Sequence, residues 1–133
     1  MPAKATPAGV TPIDAVEGPL FDSCLHEVSH ALFDMLQVAV LGREEDAADQ
    51  VSSFIILELG KEEARRLIGG VAYAFKTEAA AKASPTMTEF PGVHGTPMQR
   101  YYNVLCIAYG ADHEYFRLCC RQRISAEGAG RGV

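Results

Sequence analysis

The sequence predicts a mainly α domain of about five helices with little or no β-sheet. Three observations carry that expectation. Apolar residues recur at helical spacing through most of the chain. Helix-starting and helix-stopping residues fall at the ends of those runs. No segment has the sustained alternation of a half-buried strand. The chain has 133 residues, 48% apolar and 22% charged. That suits one globular domain, large enough for a core without disulfide support. The expected organisation is a flexible arm over 1–12, a single domain over 13–124 and a Gly-rich tail over 125–133.

The first helix is expected over about 20–37, with Pro19 in its first turn. Leu20, Cys24, Val28, Ala31, Leu32 and Met35 form its apolar stripe. Residues 38–41 read as a short extended link ended by Gly42. A second helix fits 43–59. Glu44, Glu45 and Asp46 sit at the positive end of its dipole, and Val51, Phe54, Ile55 and Leu59 share one side. Gly60 stops it. A third helix fits 61–82, weakened at Gly69 and Gly70. Residues 84–95 hold Pro85, Pro91, Gly92 and Gly95, and read as a loop. Thr96, Pro97 and Gln99 then spell a capping box that starts a fourth helix, running to about Tyr109. Asp112 can cap a short fifth helix to about Arg121.

The charge balance limits the partners. A net charge of −5 without a basic cluster argues against nucleic acid and against anionic membrane surfaces. No apolar run reaches the roughly 18–20 residues of a membrane span. Residues 1–12 lack the apolar stretch of a secretory signal. The four cysteines, Cys24, Cys106, Cys119 and Cys120, contain no C-x-x-C pair. Cys106 can pair with Cys119 or Cys120, or all can be free thiols; Cys24 reads as core.

His26-Glu27-Val28-Ser29-His30 is an H-E-x-x-H motif. Four helical steps place His26 and His30 about 40° apart on one face. Two imidazoles one turn apart can reach one zinc ion. Glu27 lies beside them and is placed to act as a general base on water. The plainer alternative is a solvated helix face, but the motif lies within an amphipathic helix, as the chemistry requires. A catalytic zinc site needs a third protein ligand and an open position. Phe33 and Leu36 stand where the metzincin continuation would need Gly and His. A carboxylate from the next helix is the remaining solution. Glu45 and Asp49 lie one turn apart, so Glu45 can ligate while Asp49 accepts a hydrogen bond from a ligand histidine. Glu44 is a rival third ligand and Asp46 a weaker one. Ala48 and Ser52 are small enough to let the two helices approach.

Three blocks, HEVSHALFD, GREEDAADQ and HGTPMQRYYNVLCIAYG, together resemble a bacterial family of zinc metallopeptidases of unknown function. The family belongs to the gluzincin-type zincins, whose best-known member is thermolysin. The resemblance spans about 20–120 and implies a zincin-like helical domain that cleaves peptide or protein substrates with zinc. It implies His26, His30 and Glu45 as ligands and Glu27 as the catalytic base. It also implies His94 as the donor that stabilises the oxyanion. Arg100, Tyr101 and Tyr102 are candidates for substrate binding, though Arg and Tyr near a helix start are often structural. His113, between Asp112 and Glu114, reads as solvated. Zincins usually set a β-sheet before the motif helix, whereas 25 residues precede His26 here. A zinc-binding module without turnover is therefore the alternative. A carboxylate-bridged di-metal bundle would need a second E-x-x-H, which the sequence lacks.

Overall fold

A computed structural model describes residues 9–82 and 93–117. Its elements are α1 (Asp14–Met35), α2 (Glu44–Glu58), α3 (Lys61–Ala81) and α4 (Pro97–Ala111). Residues 113–117 begin a fifth helix, and the described residues contain no strand. The mainly α expectation therefore holds. No helix among them is long and apolar enough to cross a membrane. The expected tail, most of the 84–95 loop, and Cys119 and Cys120 lie outside the described residues, as does the expected arm apart from 9–12.

The helices pack as two shared neighbours between two outer elements. α1 rests on α2 and α3, and α4 rests on the same pair. The apolar core lies around α3 and α4. Ile56 and Ile68 are fully buried there with Leu67, Val71, Val104, Leu105, Ala108 and Phe116. The α4 start follows its sequence. Thr96 Oγ1 accepts from the Gln99 backbone N–H, and the Gln99 side chain accepts from the Thr96 N–H. Asp112 accepts from the Tyr115 N–H and so starts the next turn of helix.

α1 departs from expectation at both its start and its orientation. It begins at Asp14, six residues early. Thr11 and Asp14 exchange backbone and side-chain hydrogen bonds that nucleate the first turn. Pro19 consequently sits inside the helix. The apolar stripe faces out: Leu20 is 63% exposed and Met35 79%, and Cys24 is exposed, not core. Its inner face consists of Asp14, Gly18, Asp22, His26 and Ser29. α2 behaves likewise. Phe54 is 58% exposed, while Ala48, Ser52, Ser53 and Ile56 point in.

The reason is physical. Helical periodicity identifies a stripe but not the neighbour it meets. Here small and polar side chains make the α1 seam because the backbones approach closely. A Cβ on Gly70 would lie 2.0 Å from the Asp14 carbonyl oxygen, and one on Gly18 would lie 2.8 Å from Gly70 Cα. Gly70, expected only to weaken α3, is what lets α1 dock on it.

Candidate metal centre

The site forms where the fourth and fifth turns of α1 cross the first turn of α2. α1 supplies His26 from its buried face and His30 one turn later. Glu44 and Glu45 come from the first turn of α2, directly after the Gly42 reversal. Four side-chain atoms converge. His26 Nε2 lies 3.0 Å from Glu45 Oε2 and 3.1 Å from His30 Nε2. His30 Nε2 lies 3.4 Å from the same carboxylate oxygen. His94 Nε2 lies 2.8 Å from it.

The opposite nitrogens are also held. His26 Nδ1 meets Asp49 Oδ1 at 2.8 Å, and His30 Nδ1 meets Glu44 Oε1 at 2.8 Å. A neutral ring that donates its Nδ1–H to one of these carboxylates has its bare lone pair on Nε2. Both motif histidines thus present Nε2 toward an anionic oxygen. Lone pairs gathered this closely need either protons or a cation between them. Zinc bonds of about 2.0–2.1 Å in tetrahedral geometry set ligand atoms roughly 3.3 Å apart. The spacings around Glu45 Oε2 run from 2.8 to 3.4 Å, at or somewhat below that figure, and the nitrogen and carboxylate donor set suits zinc. The residues fit a metal ion. Among the described residues, His26, Glu45 and His94 have ligand atoms within 4.8 Å of one another.

A polar chain behind His26 fixes its ring. Arg100, in the first turn of α4, donates to both oxygens of Asp49 at 2.7 Å. Its guanidinium lies 4.4 Å from the centre of the Phe75 ring. Burial opposes the Arg100 charge, but the Asp49 contact outweighs it and holds the pKa above its usual value. Further in, Ser52 Oγ donates to Asp22. Burial raises the Asp22 pKa; the Ser52 hydrogen bond works against this and the nearby Asp49 charge adds to it. At Glu45, burial pushes the pKa up, but the His26 hydrogen bond and the charges of His94 and His30 leave it lowered. The Glu44 hydrogen bond raises the pKa of His30.

The structure therefore brings together His26, His30, Glu45, Asp49, His94 and Arg100 from the sequence-predicted set. Glu27 is exposed and adjoins His26 on α1. Arg100 is committed to Asp49, although the sequence offered it to substrate. Tyr101 packs against the apolar core, and its ring meets that of Tyr102 with centroids 5.1 Å apart. Glu44 faces the outer nitrogen of His30 and Glu45 the inner one, which separates two candidates the sequence could not. The Asp22–Ser52 pair was not foreseen. Its only signal is a polar residue one turn before His26 on the same face.

A family described as "Putative metallopeptidase" matches residues 3–130. The chain belongs to that family. No curated protein and no solved structure matches it. Membership agrees with the resemblance carried by the three sequence blocks, and it is consistent with a metal at the cluster.

Proposed function

We propose that this member of the family is a zinc-dependent peptidase, with His26, His30 and Glu45 holding the metal and Glu27 acting as general base. One observation carries the reading. Three lone-pair atoms from an H-E-x-x-H helix and the next helix converge at ligand spacing, and each motif histidine has a carboxylate on its far nitrogen. Such outer hydrogen bonds fix the tautomer and make the ligand more basic. Zinc there would polarise a substrate carbonyl and bring the pKa of water to about 7.

The chain's own residues do the rest. Asp49 and Glu44 orient the two rings. Arg100 holds Asp49 with two parallel hydrogen bonds, a geometry that resists rotation. Glu27 follows His26 in the motif and is open to solvent, which supports a role in taking a proton from the attacking water. It would pass that proton to the leaving amine. A second reading, a zinc-binding module without turnover, draws support from the described residues being helical, because zincins lay their substrate along a β-strand.

The test is zinc content followed by cleavage of a fluorogenic peptide library by wild type and Glu27→Gln. The expected result is one zinc per chain in both proteins, with turnover reduced by about 10²–10⁴-fold in Glu27→Gln. Full activity in Glu27→Gln would reject Glu27 as the base. Zinc without cleavage of any peptide would favour the module.

A further inference from the structure

We propose that His94 is a fourth protein ligand of the metal, so that the resting site is closed. The inference rests on the reading of His26, His30 and Glu45 as ligands. His94 Nε2 lies 2.8 Å from Glu45 Oε2, the oxygen that also faces both motif histidines. Its ring stacks on that of His26, with centroids 5.9 Å apart. The short contact sets the imidazole nitrogen against the carboxylate oxygen. With a cation beside that oxygen, the same nitrogen offers its lone pair from the same position. α1 and α2 supply His26, His30 and Glu45, and His94 approaches Glu45 Oε2 from the α4 side.

The position of His94 is built. It lies two residues before the Thr96 capping box. Four residues after Thr96, Arg100 is clasped onto Asp49, which holds His26. The network that orients His26 therefore also anchors the segment carrying His94.

The consequence concerns access. Four protein ligands make the closed, structural kind of zinc site, whereas a catalytic site keeps a position open. His26, His30 and Glu45 are fixed in helices. His94 belongs to the segment preceding α4, and its side chain is half exposed. It is the ligand whose departure opens the site. An oxyanion donor at the same residue would leave the resting coordination at three protein ligands, so the two roles are separable by spectroscopy without any turnover assay.

The experiment uses the full chain, wild type and His94→Ala, with zinc and cobalt(II) as probes. Zinc affinity is measured by chelator competition. The visible spectrum of the cobalt(II) form is recorded with and without azide, an anion that takes up an open position on the metal. The wild-type spectrum should be unchanged by azide, whereas that of His94→Ala should shift. Zinc affinity should fall at least about tenfold in His94→Ala, since even loss of an outer hydrogen-bond partner weakens metal by that much. Unchanged thermal unfolding of the metal-free variant would show that the loss is local. An azide-sensitive wild type with zinc affinity equal to that of His94→Ala overturns the ligand role and leaves the three-ligand site standing. A wild type that binds no zinc overturns both.

Discussion

The α1–α2 seam and the α3–α4 core belong to one small domain and are built from opposite materials. The core buries Leu67, Ile68, Val71, Val104 and Leu105. The seam buries Asp22, His26, Ser29 and Ser52. Burying polar groups is unfavourable unless each finds a partner. Among the described residues no buried side-chain nitrogen or oxygen lacks one. The seam thus breaks roughly even on stability while holding several titratable groups in fixed positions. The core supplies the folding free energy that lets the seam be polar. Metal affinity and fold stability should therefore respond to different substitutions.

The strongest way to break the comparison is to damage the core. Ile68 is fully buried on α3. Ile68→Ala removes three heavy atoms' worth of packing and should lower unfolding free energy by about 2–5 kcal/mol. Urea unfolding followed by circular dichroism measures this. Zinc affinity of the molecules that remain folded should be unchanged. A loss of zinc binding ahead of unfolding would mean that core and seam are one unit.

The two regions also differed in how far they could be read from the sequence. The helices were legible because caps and glycines are local signals: Thr96 and Gln99 started α4 as expected, and Gly60 separates α2 from α3. The cluster of His26, His30, Glu45 and Asp49 was legible because H-E-x-x-H and E-x-x-x-D each place two groups one turn apart. The inward face of α1 was not. Leu20, Val28 and Met35 form the stronger apolar stripe, yet they face out. Which stripe faces in depends on the close approach of Gly18 and Gly70, a contact between residues 52 positions apart. Which of its two readings Arg100 follows was hidden for the same reason. Its partner Asp49 lies 51 residues away, and no local pattern links them.

A seam variant sharpens the contrast at smaller amplitude. Asp49 accepts from His26 Nδ1 and receives both arms of Arg100. Asp49→Asn keeps the volume but removes the charge, and its NH₂ cannot accept from Arg100. Zinc affinity should fall by about 10–100-fold, read by chelator competition. The urea midpoint of the metal-free protein should move less than that of Ile68→Ala. Equal zinc affinity would mean that the carboxylate behind His26 does not tune the site.

The smallest expected effect is a pH dependence located in Asp22. Burial raises its folded pKa above the ordinary 3.8, with Ser52 opposing and the Asp49 charge adding to the rise. For an acid, a raised folded value works against the fold. Below about pH 4 both states hold the proton, and the shift contributes nothing. As pH climbs past the unfolded value, the unfolded chain releases its proton first and stability falls. The fall ends once the folded carboxyl ionises too. Asp22→Asn keeps an oxygen that can accept from Ser52 Oγ but does not titrate. Its stability relative to wild type should therefore rise as pH climbs above about 4, then level off once the folded carboxyl of wild type ionises. Urea midpoints of both metal-free proteins at several pH values measure this. A difference that is flat with pH would mean that the seam holds Asp22 ionised without penalty. The polar half of the molecule would then be as well solvated by its own side chains as it would be by water.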